Sequence, residues 1–168
     1  MMIREFAKEN IRMTWTLLSI CFDSNNLLRN SEYEQKYVSA SEVISYATDF
    51  LEASDDIDIT SLAILKENEE RDILKLLGQL SNREKCQYSY EFRKFRAMYI
   101  YKNLPKTNDD FMHGILKISE LWDKFGFPED SPNIYFKFEE YSLSNFKKLL
   151  DIHTAWIKNE FEIIRHCE

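Results

Sequence analysis

Along most of the chain apolar residues return every three or four positions, the period of a helix with one buried face, and the runs are bounded by residues that start or stop helices. "SASEVISYATDFLEA" opens with Ser39 and Glu42 at capping-box spacing and then sets Val43, Ile44, Ala47, Phe50 and Leu51 on one side. "SNREKCQYSYEFRKFRAMYIYKN" has the same spacing at Ser81 and Glu84, which predicts a helix start there. Its stripe is Tyr88, Phe92, Phe95 and Tyr99, and Asn103 and Pro105 stop it. "NDDFMHGILKISELWDKFGFP" offers Asn108 as cap, Asp109 and Asp110 at the positive helix end, and Gly126 and Pro128 as terminators. The last long helix reads as "SLSNFKKLLDIHTAWIKNEFEIIRH", with Phe146, Leu149, Leu150, His153, Trp156, Ile157 and Phe161 inward.

Shorter helices are predicted at "MIREFAKEN", "TWTLLSICF", "TSLAILK" and "EERDILKLLGQL", the last two forming a hairpin around Glu67 and Asn68. "DSNNLLRNSEYEQKYV" reads as a surface connector. "FPEDSPNIYFKFEEY" has two prolines and alternating aromatics, so one short strand or an extended strap is allowed near 133–139. The expected fold is therefore all-α: one irregular bundle of about seven or eight helices over 1–168, without internal repeat or linker. Trp15, Phe50, Leu62, Leu76, Phe92, Phe95, Leu121, Trp122, Leu149 and Trp156 should be buried, and His153 should be a structural histidine.

Composition agrees with a helical class. Only three Gly and three Pro occur among 168 residues, too few for many tight hairpins, while 12 Phe, 9 Tyr and 3 Trp supply an aromatic core. Cys21, Cys86 and Cys167 are odd in number and far apart, as expected of free thiols in a reducing compartment. "MMIREFAKEN" is charged where a signal peptide is apolar, and the most apolar run, "TWTLLSICF", is too short to span a bilayer; a cytoplasmic location is expected. Charge is uneven: residues 49–72 hold nine acids against two bases and account for the whole net charge of −7. Such a field disfavours nucleic acid and anionic membrane and favours a basic protein partner. Eight acids are the candidate contact residues: Glu52, Asp55, Asp56, Asp58, Glu67, Glu69, Glu70 and Asp72. Neutralising Asp55, Asp56, Glu69 and Glu70 is expected to slow association without harming the fold.

The familiar chemical motifs are incomplete. Counted from Asp56, the acidic stretch puts Asp58, Thr60 and Glu67 at positions three, five and twelve of a calcium loop, but Ser61 stands where the loop needs glycine. Asp110 and His113 have the i, i+3 spacing of helical di-iron ligands, and neither His153 nor His166 supplies the second pair. No Gly-x-Ser-x-Gly elbow or glycine-rich cradle occurs, and Cys86, beside Arg83 and Lys85, has no local histidine. The basic segment 83–106 interleaves aromatics. Because these fall on one stripe, they read as a buried face with Lys94, Arg96 and the other bases on its solvated side. No cofactor, metal site or enzymatic activity is expected.

"MTWTLL", "VISYATDFLE", "EERDILKLLGQL" and "LWDKFGFPED", in this order, resemble a bacterial family of small acidic helical proteins classed as a domain of unknown function, over roughly Thr14 to Trp156. The resemblance implies an association with polymorphic-toxin loci, in which small acidic proteins serve as immunity factors; it carries no catalytic or ligand residues. The function expected is a non-enzymatic inhibitor that binds a basic toxin domain, and the alternative is a helical adaptor or scaffold for another protein.

Overall fold

In a computed structural model, described over residues 2–29, 36–105, 110–132 and 142–167, the chain is all-α, with nine helices and no strand among the described residues. The helices are α1 (Ile3–Lys8), α2 (Trp15–Phe22), α3 (Ser24–Leu27), α4 (Ala40–Asp49), α5 (Ile57–Ala63), α6 (Glu70–Arg83), α7 (Tyr88–Asn103), α8 (Phe111–Asp123) and α9 (Leu143–Cys167). The strap expected at 133–139 lies outside the described residues. Contacts gather into two compact units, one of Met1–Leu27 with Ser31–Phe95, the other of Leu28–Asn30 with Arg96–Glu168.

In the first unit α2 packs against α6 and α4, and α5 lies against both α4 and α6. Of the eight residues of α2, six are buried, including Leu17, Leu18, Cys21 and Phe22. A helix apolar on nearly every side belongs in the interior, and α2 is the centre of this unit. Also fully buried in this unit are Phe6 of α1, Val43 and Ala47 of α4, Leu62 of α5, and Ile73 and Leu77 of α6. α1 ends in a Schellman turn: Asn10 adopts φ 55°, the Ile11 N–H donates to the Phe6 carbonyl (2.9 Å), and both of those side chains are buried.

In the second unit α8 packs on α9. Gly114 allows this approach, because a Cβ there would meet the Phe146 ring at 2.5 and 2.6 Å. Phe146 is itself fully buried and has nowhere to retreat. Gly114→Ala should therefore destabilise the protein. Overpacking costs about 1–3 kcal/mol and the better helix propensity of Ala returns about 1, a net loss seen in thermal melts as about 2–4 °C. An equal or higher Tm would show that the ring yields freely. α8 ends in a second Schellman turn, with Gly126 at φ 71° and the Phe127 N–H on the Trp122 carbonyl at 3.0 Å.

Several boundaries differ from the sequence reading. The capping box at Ser39 and Glu42 forms with both limbs. Ser81 and Glu84 do not start a helix: α6 runs through Arg83, Glu84 follows its last turn, and α7 begins at Tyr88. Asn108 lies outside the described residues, and Asp110 is the cap of α8. α5 begins at Ile57, earlier than "TSLAILK" suggests, because Asp56 caps it. The connector after Phe22 is partly helical, and Ser24, Leu28, Tyr37 and Val38 in it are buried. Of the ten residues expected inside, Leu62, Phe95, Leu121, Trp122 and Leu149 are buried, while Trp15, Phe50, Leu76, Phe92 and Trp156 are half-buried.

Candidate functional site

The eight acids expected to form a contact surface all lie in the first unit, from the turn after α4 to the first turn of α6. They divide into two kinds. Asp56 caps α5, its Oδ1 accepting the Asp58 N–H at 2.9 Å. The Arg83 guanidinium, in the last turn of α6, closes on both Asp56 (3.1 Å) and Asp58 (2.7 Å). Glu69 accepts the Lys66 N–H at 2.6 Å and so ties the turn between α5 and α6. Glu70 pairs with Lys36 at 2.7 Å, whose ammonium also sits 4.1 Å from the centre of the Phe22 ring. The other four, Glu52, Asp55, Glu67 and Asp72, are exposed and form no ion pair among the described residues.

This division revises the variant expected to slow association harmlessly. Asp56, Glu69 and Glu70 of that set hold a helix cap, a turn and an ion pair. It also explains why the stretch is not a calcium loop. Seven of the twelve positions counted from Asp56 are the helix α5, and Arg83 occupies the first two carboxylates.

The remaining candidates have structural partners. Asp110 Oδ1 accepts the backbone N–H of His113 (3.0 Å), so the i, i+3 spacing here is that of a cap and its third residue. His153 is fully buried; its Nε2 accepts from Trp122 Nε1 (2.7 Å) and its Nδ1–H donates to the Leu149 carbonyl (2.7 Å). Burial lowers its pKa below 6.5, only partly opposed by the Leu149 bond. Cys21 is buried while Cys86 and Cys167 are exposed, all three free. The Cys86 thiol is pushed up by desolvation and by Glu84 and Glu91, against the weaker pull of Lys94 and Arg12, the reverse of nucleophile activation.

The residues that sequence reasoning missed sit at the N-terminus of α2. Because that end is interior, its free N–H groups need acceptors. Thr14 caps it, taking the Leu17 N–H on its hydroxyl oxygen at 2.9 Å. Glu84 reaches in from beyond α6, accepting the Trp15 N–H (2.8 Å), the Thr16 N–H (2.7 Å) and the Thr16 hydroxyl (2.9 Å). The Thr14 hydroxyl donates in turn to Glu91 (2.8 Å), and Glu91 holds Lys94 at 3.2 Å, both charged side chains being almost completely buried. Lys94 also lies 4.9 Å from the centre of the Tyr90 ring. Two bases placed on a solvated face by the sequence pattern are thus engaged: Lys94 is interior, and Arg96 pairs with Asp130 and lies over the Trp156 ring at 5.6 Å. The aromatic stripe runs from an exposed Tyr88 through a half-buried Phe92 to the buried Phe95 and Tyr99.

Among the described residues no helix is long and apolar enough to cross a membrane, and no three potential metal ligands converge. No curated protein and no solved structure matches the chain. All four stretches that suggested a bacterial family, from "MTWTLL" to "LWDKFGFPED", lie within residues 3–161, the span matched by the family model described as uncharacterized protein conserved in bacteria (DUF2247), and the chain belongs to that family.

Proposed function

We propose that the protein is a non-enzymatic, acidic binding protein, a cytoplasmic immunity factor that neutralises a basic toxin domain by direct contact. The observation that carries this reading is the set Glu52, Asp55, Glu67 and Asp72, exposed in the turns around α5 and in the first turn of α6 while their neighbours are held within the unit. Like charges close along the chain and open to solvent repel each other, so a cationic surface that meets them is attracted, and the field speeds encounter. A domain that grips a phosphate backbone carries such a cationic surface. Binding rather than chemistry also suits the fate of Glu84, Glu91, Lys94 and His153, whose polar atoms are turned to interior hydrogen bonds.

Co-expression with a basic toxin domain, the partner class this reading names, tests it. Growth is expected to be restored by the native chain. In stopped-flow mixing, the variant Glu52→Gln, Asp55→Asn, Glu67→Gln, Asp72→Asn should associate about tenfold more slowly at low salt, the difference closing as salt rises. Absence of rescue, or an unchanged association rate in the variant, would count against it.

A further inference from the structure

Ile57 and Ile64, at the two ends of α5, are each 76 % exposed, well beyond the next large apolar side chain among the described residues, Tyr88 at 53 %. A single exposed isoleucine needs no explanation. These two are seven residues apart, so they project from the same side of the helix, about 10 Å apart along it at 1.5 Å per residue. The opposite side carries Ile59 and Leu62, which are buried and fix α5 to the unit. Between the two isoleucines on the outer side lie only the small polar Thr60 and Ser61. Glu52 and Asp55 precede this stripe and Glu67 follows it, all three exposed.

We infer that the outer side of α5 is a docking ridge, with Ile57 and Ile64 seating in an apolar groove of a protein partner whose rim carries Lys or Arg opposite Glu52, Asp55 and Glu67. The inference rests on the binding reading above and names the surface it uses. Isoleucine is branched at Cβ and stiff at χ1, so little side-chain freedom is lost when it is clamped. A pair of such anchors with exposed charge at both ends of the helix has the composition of a contact centre and its rim. The acids narrow the partner. Phosphate backbones and anionic bilayers are repelled, and a second copy of this chain docking through the same face would set the carboxylates against themselves. The two parts of the ridge act on different rates: the isoleucines hold the complex together, and the acids bring it together.

The probe is a helical peptide with leucines at i, i+3, i+4 and i+7 and lysines flanking them, added to full-length chain labelled at its isoleucine methyl groups. The methyl resonances of Ile57 and Ile64 should shift most. A control peptide with serine for each leucine should leave those methyls in place while still perturbing the amides of Glu52, Asp55 and Glu67. The variant Ile57→Ser, Ile64→Ser should melt as the native chain does, since both sites are exposed, yet bind the leucine peptide about tenfold or more weakly through faster dissociation. Shifts centred elsewhere, for example on the exposed Leu116 side of α8, or equal affinity of the double variant, would overturn the ridge. Rescue from a basic toxin domain that survives Ile57→Ser, Ile64→Ser would sink the ridge and leave the inhibitor reading standing. A peptide footprint on α5 without any rescue by the native chain would do the reverse.

Discussion

Lys94→Met is expected to destabilise the protein by about 3–5 kcal/mol, the usual cost of leaving one member of a buried ion pair without the other. Both Lys94 and Glu91 are almost fully buried, so removing the ammonium leaves a carboxylate with the Thr14 hydroxyl as partner and little access to water. For a chain of this size the loss should lower Tm by about 10 °C or more. A second substitution distinguishes charge from shape. Glu91→Gln in the Lys94→Met background removes the unpaired charge but keeps an oxygen to accept from Thr14, and most of the lost stability should return. Urea melts of the native chain, of Lys94→Met and Glu91→Gln singly, and of the double variant give the cycle. A drop of less than about 1 kcal/mol for Lys94→Met would mean that water reaches the pair, the behaviour of a surface ion pair.

Lys94 also shows where the sequence stopped being informative. It stands in "FRKFR", a basic and aromatic run, and the stripe of Tyr88, Phe92, Phe95 and Tyr99 was read correctly as turning toward the interior at Phe95 and Tyr99. Periodicity assigns the remaining positions to the outside by default. One signal pointed the other way, the opposite charge of Glu91 one turn earlier. That signal is equally common on solvated helices, and only the buried bond from Thr14 to Glu91 decides between them. Glu84 is a similar case. Its spacing from Ser81 is that of a capping box, and it does cap a helix start, but the start belongs to α2. Spacing identifies a residue able to cap; which helix end lies within reach is a tertiary fact. At Ser39 and Glu42 the local and tertiary answers coincide, and the expected box forms.

The acidic region was legible as charge and not as geometry. Composition locates nine acids in residues 49–72, and nothing along the chain says that Arg83 closes on Asp56 and Asp58 or that Lys36 takes Glu70. The pattern along the chain makes Ile59, Leu62, Ile64 and Leu65 look like anchors, yet a helix of seven residues has room for only one inward face. Ile59 and Leu62 occupy it. Ile57 and Ile64 are left outside, and the features that make α5 a candidate docking ridge follow from the register set by the Asp56 cap.

Trp122→Ala should be as costly as the loss of Lys94, about 3–5 kcal/mol, because the indole is fully buried and its removal leaves a large cavity. It packs edge-on against Trp156, ring centres 5.0 Å apart, and its Nε1–H is the donor to His153 Nε2. The same contact gives a pH dependence with a fixed sign. His153 is neutral in this arrangement, Nδ1–H donating to Leu149 and Nε2 accepting from Trp122; a second proton would set one N–H against another. Burial therefore holds the folded-state pKa below the 6.5 of the unfolded chain. Above pH 6.5 both states are neutral and the full stability is present. Below it the unfolded chain takes up a proton that the folded chain refuses, and stability falls by up to about 1.4 kcal/mol per pH unit until the lowered folded pKa is passed. His153→Gln, which does not titrate, should lose this slope. Urea melts from pH 5.5 to 7.5 on the two chains isolate the difference, and equal slopes would mean that His153 is free to protonate in the folded state.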